Sequence, residues 1–344
     1  MKKILVTRIG IVGAGLRGQL FHEALTALPE VTVVGLCDPS PAARARLASS
    51  VQPHVAVVET HEELYALGVD AVVIATPDFA HTKPLLDACA AGLDVVVEKP
   101  LAMNVPEATA IRDAVEAAGV RCVVAFENRW NPAFVRAQEG LINTGSLISQ
   151  WIRLSNSFTV PTEMLSSWAS RTSPGWFLMP HTVDIAMWMS GSSPVSVSAV
   201  GRRGALAKRG IDTWDVLFAH LRFADGSVAA LESAWVLPDG LPSIVDFRYE
   251  AVSEGARVEF DAGQQGVRIS DTRTTSAGLL PFTTGGATQG MPQWMIRDVI
   301  AGLARGVTVG PDVQHGLVVT QVVAAIHESA AANGQSVLLK EISA

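Results

Sequence analysis

Cysteine is scarce in this sequence, at Cys37, Cys89 and Cys122 only. An odd number of cysteines, widely separated and in apolar surroundings, fits neither a disulfide framework nor a zinc pattern. The expectation is therefore three buried thiols in a reducing compartment and no metal site. Charge is also thin: 17% of the 344 residues, with 26 basic against 33 acidic side chains and a net charge of −7. An acidic balance of that kind excludes the electrostatic footprint of a nucleic-acid or anionic-membrane binder. No run approaches the ~20 apolar residues of a membrane-spanning helix, and the stretch after Lys2-Lys3 is cut by Arg8 before it reaches the length of a signal-peptide core. Repeats and low-complexity linkers are missing too. The chain reads as a soluble, cytoplasmic protein.

What is present is apolar: 49% of residues are hydrophobic. A chain this apolar buries enough surface to offset its ordering entropy, and its length suggests two domains. From residue 8 to about 126, short Val/Ile runs alternate with helical stretches. This is the pattern of a doubly wound parallel sheet covered on both faces, an α/β fold. After 127 come several strand-like runs in succession, from Val195–Gly201 to Val258–Phe260. They predict a second α/β domain with an open, mostly antiparallel sheet, flanked by helices at Pro132–Asn143, His181–Ser190, Trp294–Ala304 and Val313–Ala332. The expected division is 1–126 and 127–344. The Gly/Thr-rich stretch Thr283–Thr288 reads as a mobile loop.

Three groups of residues carry chemistry. Gly13-Ala14-Gly15-Leu16-Arg17-Gly18 follows a strand and opens a helix, the setting a dinucleotide fingerprint requires. Gly13 suits the tight turn, Gly15 the close approach of a pyrophosphate, and Gly18 the packing of helix on strand. Such a motif alone is weak. Asp38 strengthens it, because it ends the second strand 20 residues after Gly18, where an acid binds the ribose hydroxyls. Its charge repels a 2′-phosphate, and Pro39-Ser40 offers no arginine to accept one. This favours NAD over NADP, with Arg44 and Arg46 read as solvated helix residues and helix capping as Asp38's bland role.

Glu98-Lys99-Pro100 ends the fifth strand, and ligands of open parallel sheets bind outside the carboxyl ends of the strands. A lysine there, partly buried beside a positive nicotinamide, can exchange a proton with a substrate hydroxyl. Taken alone, it is equally a surface lysine at a strand end.

The fingerprint, Asp38, Ala75-Thr76-Pro77-Asp78-Phe79-Ala80-His81, Val95-Val96-Val97-Glu98-Lys99-Pro100 and Asn128-Arg129-Trp130-Asn131-Pro132 occur in order. Together they resemble the glucose–fructose oxidoreductase / inositol dehydrogenase / MocA family of sugar and cyclitol dehydrogenases. The C-terminal segment from Gln314 to Ala330 is similar to that family's last helix. The resemblance implies a Rossmann domain and a second domain whose open sheet makes a homodimer or homotetramer interface. It implies Lys99 as catalytic base and Glu98 beside the nicotinamide ribose. Thr76, Pro77 and His81 would shape the nicotinamide pocket, with Asn128 among the substrate contacts and Arg129 and Asn131 at a cleft floor. His81 reads equally as a helix-start residue packing its own loop, and Arg129 as part of a domain-interface ion pair.

His181-Thr182-Val183-Asp184 is similar to the family's second catalytic segment. Dehydrogenating members carry an Asp four residues before that His and a Gly two before. Phe177 and Met179 stand there instead. His181 is then expected to act without its carboxylate partner, with Asp184 one turn later able to orient its ring. A buried, hydrogen-bonded histidine is the alternative. Trp168, Trp176 and Trp188 suit a sugar-stacking wall, although core packing is the commoner use of tryptophan.

Three functions remain open on the sequence. One is an NAD-dependent dehydrogenase of a sugar, sugar derivative or cyclitol. A second keeps NAD bound and oxidises transiently, as a lyase, glycosidase or epimerase with no net redox change. The third is a non-enzymatic NAD-binding sensor, which would leave Lys99 idle.

Overall fold

The computed structural model describes residues 7–241, 243–264, 267–269, 275–277, 282–284 and 287–339. The chain divides into two compact units, residues 1–130 with 281–317, and residues 131–280 with 318–344.

In the first unit, β1 (Thr7–Val12), β2 (Val31–Cys37), β3 (Ala56–Val58), β4 (Ala71–Ile74), β5 (Asp94–Glu98) and β6 (Cys122–Ala125) form one sheet in the order β3-β2-β1-β4-β5-β6. Every neighbouring pair is parallel. The helices between them are α1 (Leu16–Thr26), α2 (Pro41–Ala48), α3 (His61–Tyr65), α4 (Thr82–Ala90) and α5 (Val105–Ala118). Their ends follow local chemistry. Ser40 caps α2 with Pro41 in its first turn, Thr60 and Glu63 form a capping box on α3, and Asn104 opens α5, which Gly119 closes in the left-handed region. The strand order reverses beside β1, and the carboxyl ends of β1 and β4 mark the switch point where such sheets bind ligands. Cys37, Cys89 and Cys122 are all buried free thiols. Burial pushes Cys37 up to about 12 and Cys89 up to about 11, so neither is a ready thiolate.

The second unit begins with α6 (Pro132–Leu141) and β7 (Leu147–Asn156), followed by α7 (Pro174–Ser190), β8 (Pro194–Arg202), β9 (Val216–Phe223), β10 (Val228–Ala234), β11 (Val245–Ser253) and β12 (Arg257–Asp261). Two short antiparallel pairs come next along the chain, β13 (Val267–Ile269) with β14 (Thr275–Ala277) in the second unit, and β15 (Phe282–Thr284) with β16 (Ala287–Gln289) back in the first. Gly285 and Gly286, the centre of the expected loop, lie outside the described residues. The chain continues through α8 (Met291–Ala304), α9 (Val313–Ala331) and β17 (Val337–Leu338). The large sheet runs β12-β11-β7-β10-β9-β8-β17 and is antiparallel except between β7 and β10. Its covered face lies under α7, where Gln150 Nε2 donates to Ala186 O at 3.0 Å. The opposite face is exposed at alternate residues of β9, including Phe218, His220 and Arg222.

Two features differ from the sequence-based expectation. A single cut at residue 126 does not describe the packing, because Met295, Ile296, Val299, Ile300 and Leu303 of α8 join Ile9, Phe21 and Leu25 in the core of the first unit. Helix α7 also begins at Pro174 rather than His181: Ser173 caps it, and Pro174 and Gly175, residue types common in turns, are its first residues.

Candidate functional site

The turn after β1 is shaped by its glycines in different ways. Gly13 has φ +100°, and a Cβ on it would lie 2.6 Å from the carbonyl oxygen of Ala75. A Cβ on Gly18 would lie 1.9 Å from Gly13 O, so α1 can approach β1 only with glycine there. Gly15 is another case. A Cβ on it meets no atom of the described residues within 4 Å. The fold does not require glycine at 15, but close approach of a ligand would. Asp38 closes the same turn, with Oδ2 accepting from Ala14 N–H at 2.9 Å and Oδ1 from Ser40 N–H at 2.9 Å. Each oxygen keeps lone-pair capacity for a further donor. Arg44 is not simply solvated. It donates to the carbonyls of Asp38 and Pro39 at 2.9 and 3.0 Å and pairs with Glu59 at 2.9 Å, which braces the loop behind Asp38.

At the end of β5, Glu98 and Lys99 are both buried, at 6% and 7% exposure. Arg17, from the first turn of α1, pairs with Glu98 and also with Glu127 just beyond β6. Burial opposes the guanidinium's charge, but the carboxylates of Glu127 and Glu98 outweigh it and hold Arg17 above the ordinary arginine value. Glu127 was not a sequence candidate. No short-range spacing connects residues 17, 98 and 127, and only the parallel sheet aligns them. His81 is buried between two carbonyls, Pro100 O at 2.7 Å from Nδ1 and Thr76 O at 3.1 Å from Nε2. It therefore staples the Thr76-Pro77 turn to the Lys99-Pro100 segment, whose connecting peptide is cis. Thr76 Oγ1 is buried with no hydrogen-bond partner among the described residues. Leu16 is exposed at the start of α1, and Asn128 is buried next to Glu127.

An orphaned hydroxyl at Thr76, open space over Gly15 and an acid at the end of β2 together fit a dinucleotide along the carboxyl edge of this sheet. Gly13, Ala14, Gly15 and Gly18 would present backbone to its pyrophosphate, with the N-terminus of α1 favouring the negative charge.

The second unit holds the other candidates. His181 and Asp184 are buried on α7, at 8% and 0% exposure. Phe177, one turn before His181, packs 5.5 Å from Trp235 and 6.2 Å from Trp168. Trp176 does not join that group, because its ring stacks on His327 at 5.0 Å. Asn131 caps α6 by accepting from Ala133 N–H at 3.0 Å. In the first unit, Arg129 Nη2 donates to His315 Nε2 at 3.2 Å. Trp235 Nε1, Ser233 Oγ and Asn156 Oδ1 are buried at the carboxyl ends of β10 and β7 without hydrogen-bond partners among the described residues. Asn156 lies on a strand whose mixed sequence carries no clear signal, and nothing local in 228–235 marks Ser233 or Trp235 as buried polar groups.

The six-stranded parallel sheet with its glycine turn after β1 is a nucleotide-binding Rossmann fold. Residues 7–126 match the GFO_IDH_MocA oxidoreductase family with an NAD-binding Rossmann fold, and residues 153–259 match the GFO/IDH/MocA C-terminal domain. The chain belongs to the GFO/IDH/MocA family. Among curated relatives, it is 26% identical to scyllo-inositol 2-dehydrogenase (NAD(+)) of Bacillus subtilis, over 80% of each chain. It is also 26% identical to levoglucosan dehydrogenase of Pseudarthrobacter phenanthrenivorans, over 94% of this chain and 96% of that one. Its fold is shared with scyllo-inositol dehydrogenase of Lactobacillus casei, solved with NAD(H) and scyllo-inositol, at TM-score 0.80 and 16% identity over 97% of this chain and 99% of that one.

Proposed function

We propose that this protein oxidises a secondary hydroxyl of a sugar, sugar derivative or cyclitol, using NAD as the redox partner. The observation that carries this reading is the end of β5, where a buried lysine follows a buried acid that Arg17 holds. The bound nicotinamide would supply the hydride acceptor. Lys99 takes the hydroxyl proton as the carbinol becomes a carbonyl, and His181 assists the transfer or positions the ring. Asp38 holds the adenosine ribose and disfavours a 2′-phosphate, while Glu98 faces the nicotinamide ribose. Leu16 and Arg17 complete the glycine turn, and Thr76, Pro77 and His81 shape the nicotinamide end. Asn128 in the first unit, and Trp168 and Asp184 in the second, are assigned substrate contacts, and the buried polar groups of Asn156, Ser233 and Trp235 in the second unit have chemistry suited to a polyhydroxylated ligand.

Phe177 favours a second reading, transient oxidation with no net redox change, because no acid stands one turn before His181. Screening inositols, sugars, levoglucosan and glycosides for NADH formation, with product analysis in parallel, separates the two. Net NADH supports a dehydrogenase, and product without NADH supports the lyase, glycosidase or epimerase reading. A further proposal is that the exposed sheet face binds a second copy of the chain. Val200 and Phe218 are direct cross-strand partners, exposed at 53% and 44%. Light scattering after gel filtration tests it, and a monomer at micromolar concentration refutes it.

A further inference from the structure

Three residues at the start of α7 converge on one side chain of α9. Ser173 Oγ accepts from Trp176 N–H at 3.0 Å as the helix cap, and its own proton goes to His327 Nε2 at 2.7 Å. The indole of Trp176 lies nearly flat on the His327 ring, 5.0 Å away and inclined by 14°. Gly175, between them, has no room for a side chain: its Cβ would lie 2.5 Å from His327 Cε1 and 2.6 Å from Leu217 Cδ1. On the far side of the imidazole, Nδ1–H donates to Val323 O at 2.8 Å, which leaves Nε2 to act as the acceptor. That arrangement requires a neutral ring. Burial pushes His327 down to about 4, with the Val323 carbonyl opposing and Arg203 adding to the effect.

A helix cap alone would not need this much. The reason lies further along α7. Pro180 stands inside the helix and has no N–H, so the bond it would make to the carbonyl of Trp176 is missing. The first turn is therefore tied less firmly to the rest of α7 by its own ladder, and His181 follows immediately. Whatever holds Ser173 and Trp176 also sets the course of the helix into His181.

We propose that His327, acting through Ser173 and Trp176, is a positioning residue that fixes the orientation of His181. The inference rests on the reading of His181 as a participant in proton transfer.

The experiment is a mutant cycle with a second readout that needs no substrate. Ser173→Ala and His327→Ala are each expected to lower kcat about tenfold on the best substrate of the panel, since small misplacements of catalytic groups are costly. KM for NAD should be unchanged. His327→Gln, which keeps an acceptor for Ser173, should recover part of the loss. In a His181→Ala background, Ser173→Ala should have no further effect on kcat. Hydrogen exchange of the Trp176–Val183 amides should be faster in Ser173→Ala and His327→Ala, and near normal in His327→Gln. The proposal is overturned if the losses multiply with that of His181→Ala, or if exchange in this segment is unaffected. Should His181→Ala itself leave turnover intact, the assignment of His181 fails and the positioning role falls with it. Should no panel compound turn over, exchange confined to α7 supports the clamp and unchanged exchange refutes it.

Discussion

Replacing Arg17 with Met tests the electrostatics of the β5 edge most directly. The substitution keeps an aliphatic stem of similar reach but removes the cation that Glu98 and Glu127 share. The side chain of Glu98 is 8% exposed and that of Glu127 16%, so neither carboxylate can turn fully to water for compensation. Removing one partner of a buried pair typically costs ~3–5 kcal/mol. Arg17 is 28% exposed, so screening already weakens the native interaction. The cost therefore falls just below that range, at about 2–3 kcal/mol. Loss of the guanidinium's place over the Phe21 ring, 5.2 Å from its centroid, acts in the same direction. Urea unfolding at pH 7 is the assay. Arg17→Met should lower the midpoint of the transition that includes the first unit, and Arg17→Met with Glu127→Gln should recover most of the loss by leaving a single carboxylate. A variant within about 0.5 kcal/mol of the parent, with no gain from the second change, would falsify the claim that Arg17 neutralises this pair.

Other expectations follow from the same geometry. Asp38→Ala should weaken NAD binding and narrow the preference over NADP, because a ribose acceptor and a repulsive charge leave together; calorimetry that finds tighter NADP than NAD binding by the parent protein would overturn this. Gly15→Ala should fold normally yet lose dinucleotide affinity, whereas Gly18→Ala should lower thermal stability, its Cβ having 1.9 Å to the nearest carbonyl oxygen. His327 is held at about 4 against an ordinary value near 6.5, so its neutral form stabilises the fold above pH 6.5. As pH falls from about 6.5 to 4 the unfolded chain takes the proton first, and up to about 3 kcal/mol is lost; His327→Gln should flatten the melting-temperature profile in that window, and parallel profiles would exclude the mechanism. Lys99→Arg should not restore turnover to Lys99→Ala, since arginine stays protonated, and His181→Ala should cost less than Lys99→Ala; the reverse order in kcat makes the histidine the principal base.

The two halves of the structure were not equally legible in the sequence. In the first, the central strands are buried on both faces and the helices carry local start and stop signals, so no alternating pattern was needed. Continuous Val/Ile runs between caps, such as Ala71–Ile74 and Asp94–Glu98, located the sheet and therefore its carboxyl edge. The second depends on side chains that meet only across the sheet. Residues 147–156 mix Gln150, Trp151 and Arg153 with apolar residues, and this masked β7 although it lies between β10 and β11. Ser173-Pro174-Gly175 carries turn chemistry, yet Pro is tolerated in a first helical turn, and the glycine is there because His327 leaves no space for a side chain. A contact 154 residues away cannot be read from local propensity.

The glycine turn shows where ligand information resides in such a sequence. Gly13 and Gly18 are explained by the protein alone, one by a positive φ and a close carbonyl, the other by the contact of α1 with β1. Both would be retained by a chain that bound nothing. Among the described residues, nothing crowds a Cβ at Gly15, and the buried Thr76 hydroxyl has no acceptor or donor. Residues that the fold does not need, or leaves unsatisfied, are those a bound dinucleotide would explain. The same distinction applies to the second unit. Trp176 is accounted for by His327, but the indole N–H of Trp235 has no partner among the described residues. Leaving such a donor buried costs about 1–3 kcal/mol unless something pairs with it. A hydroxyl-bearing substrate, or a water held in its place, is the chemistry that would offset that cost.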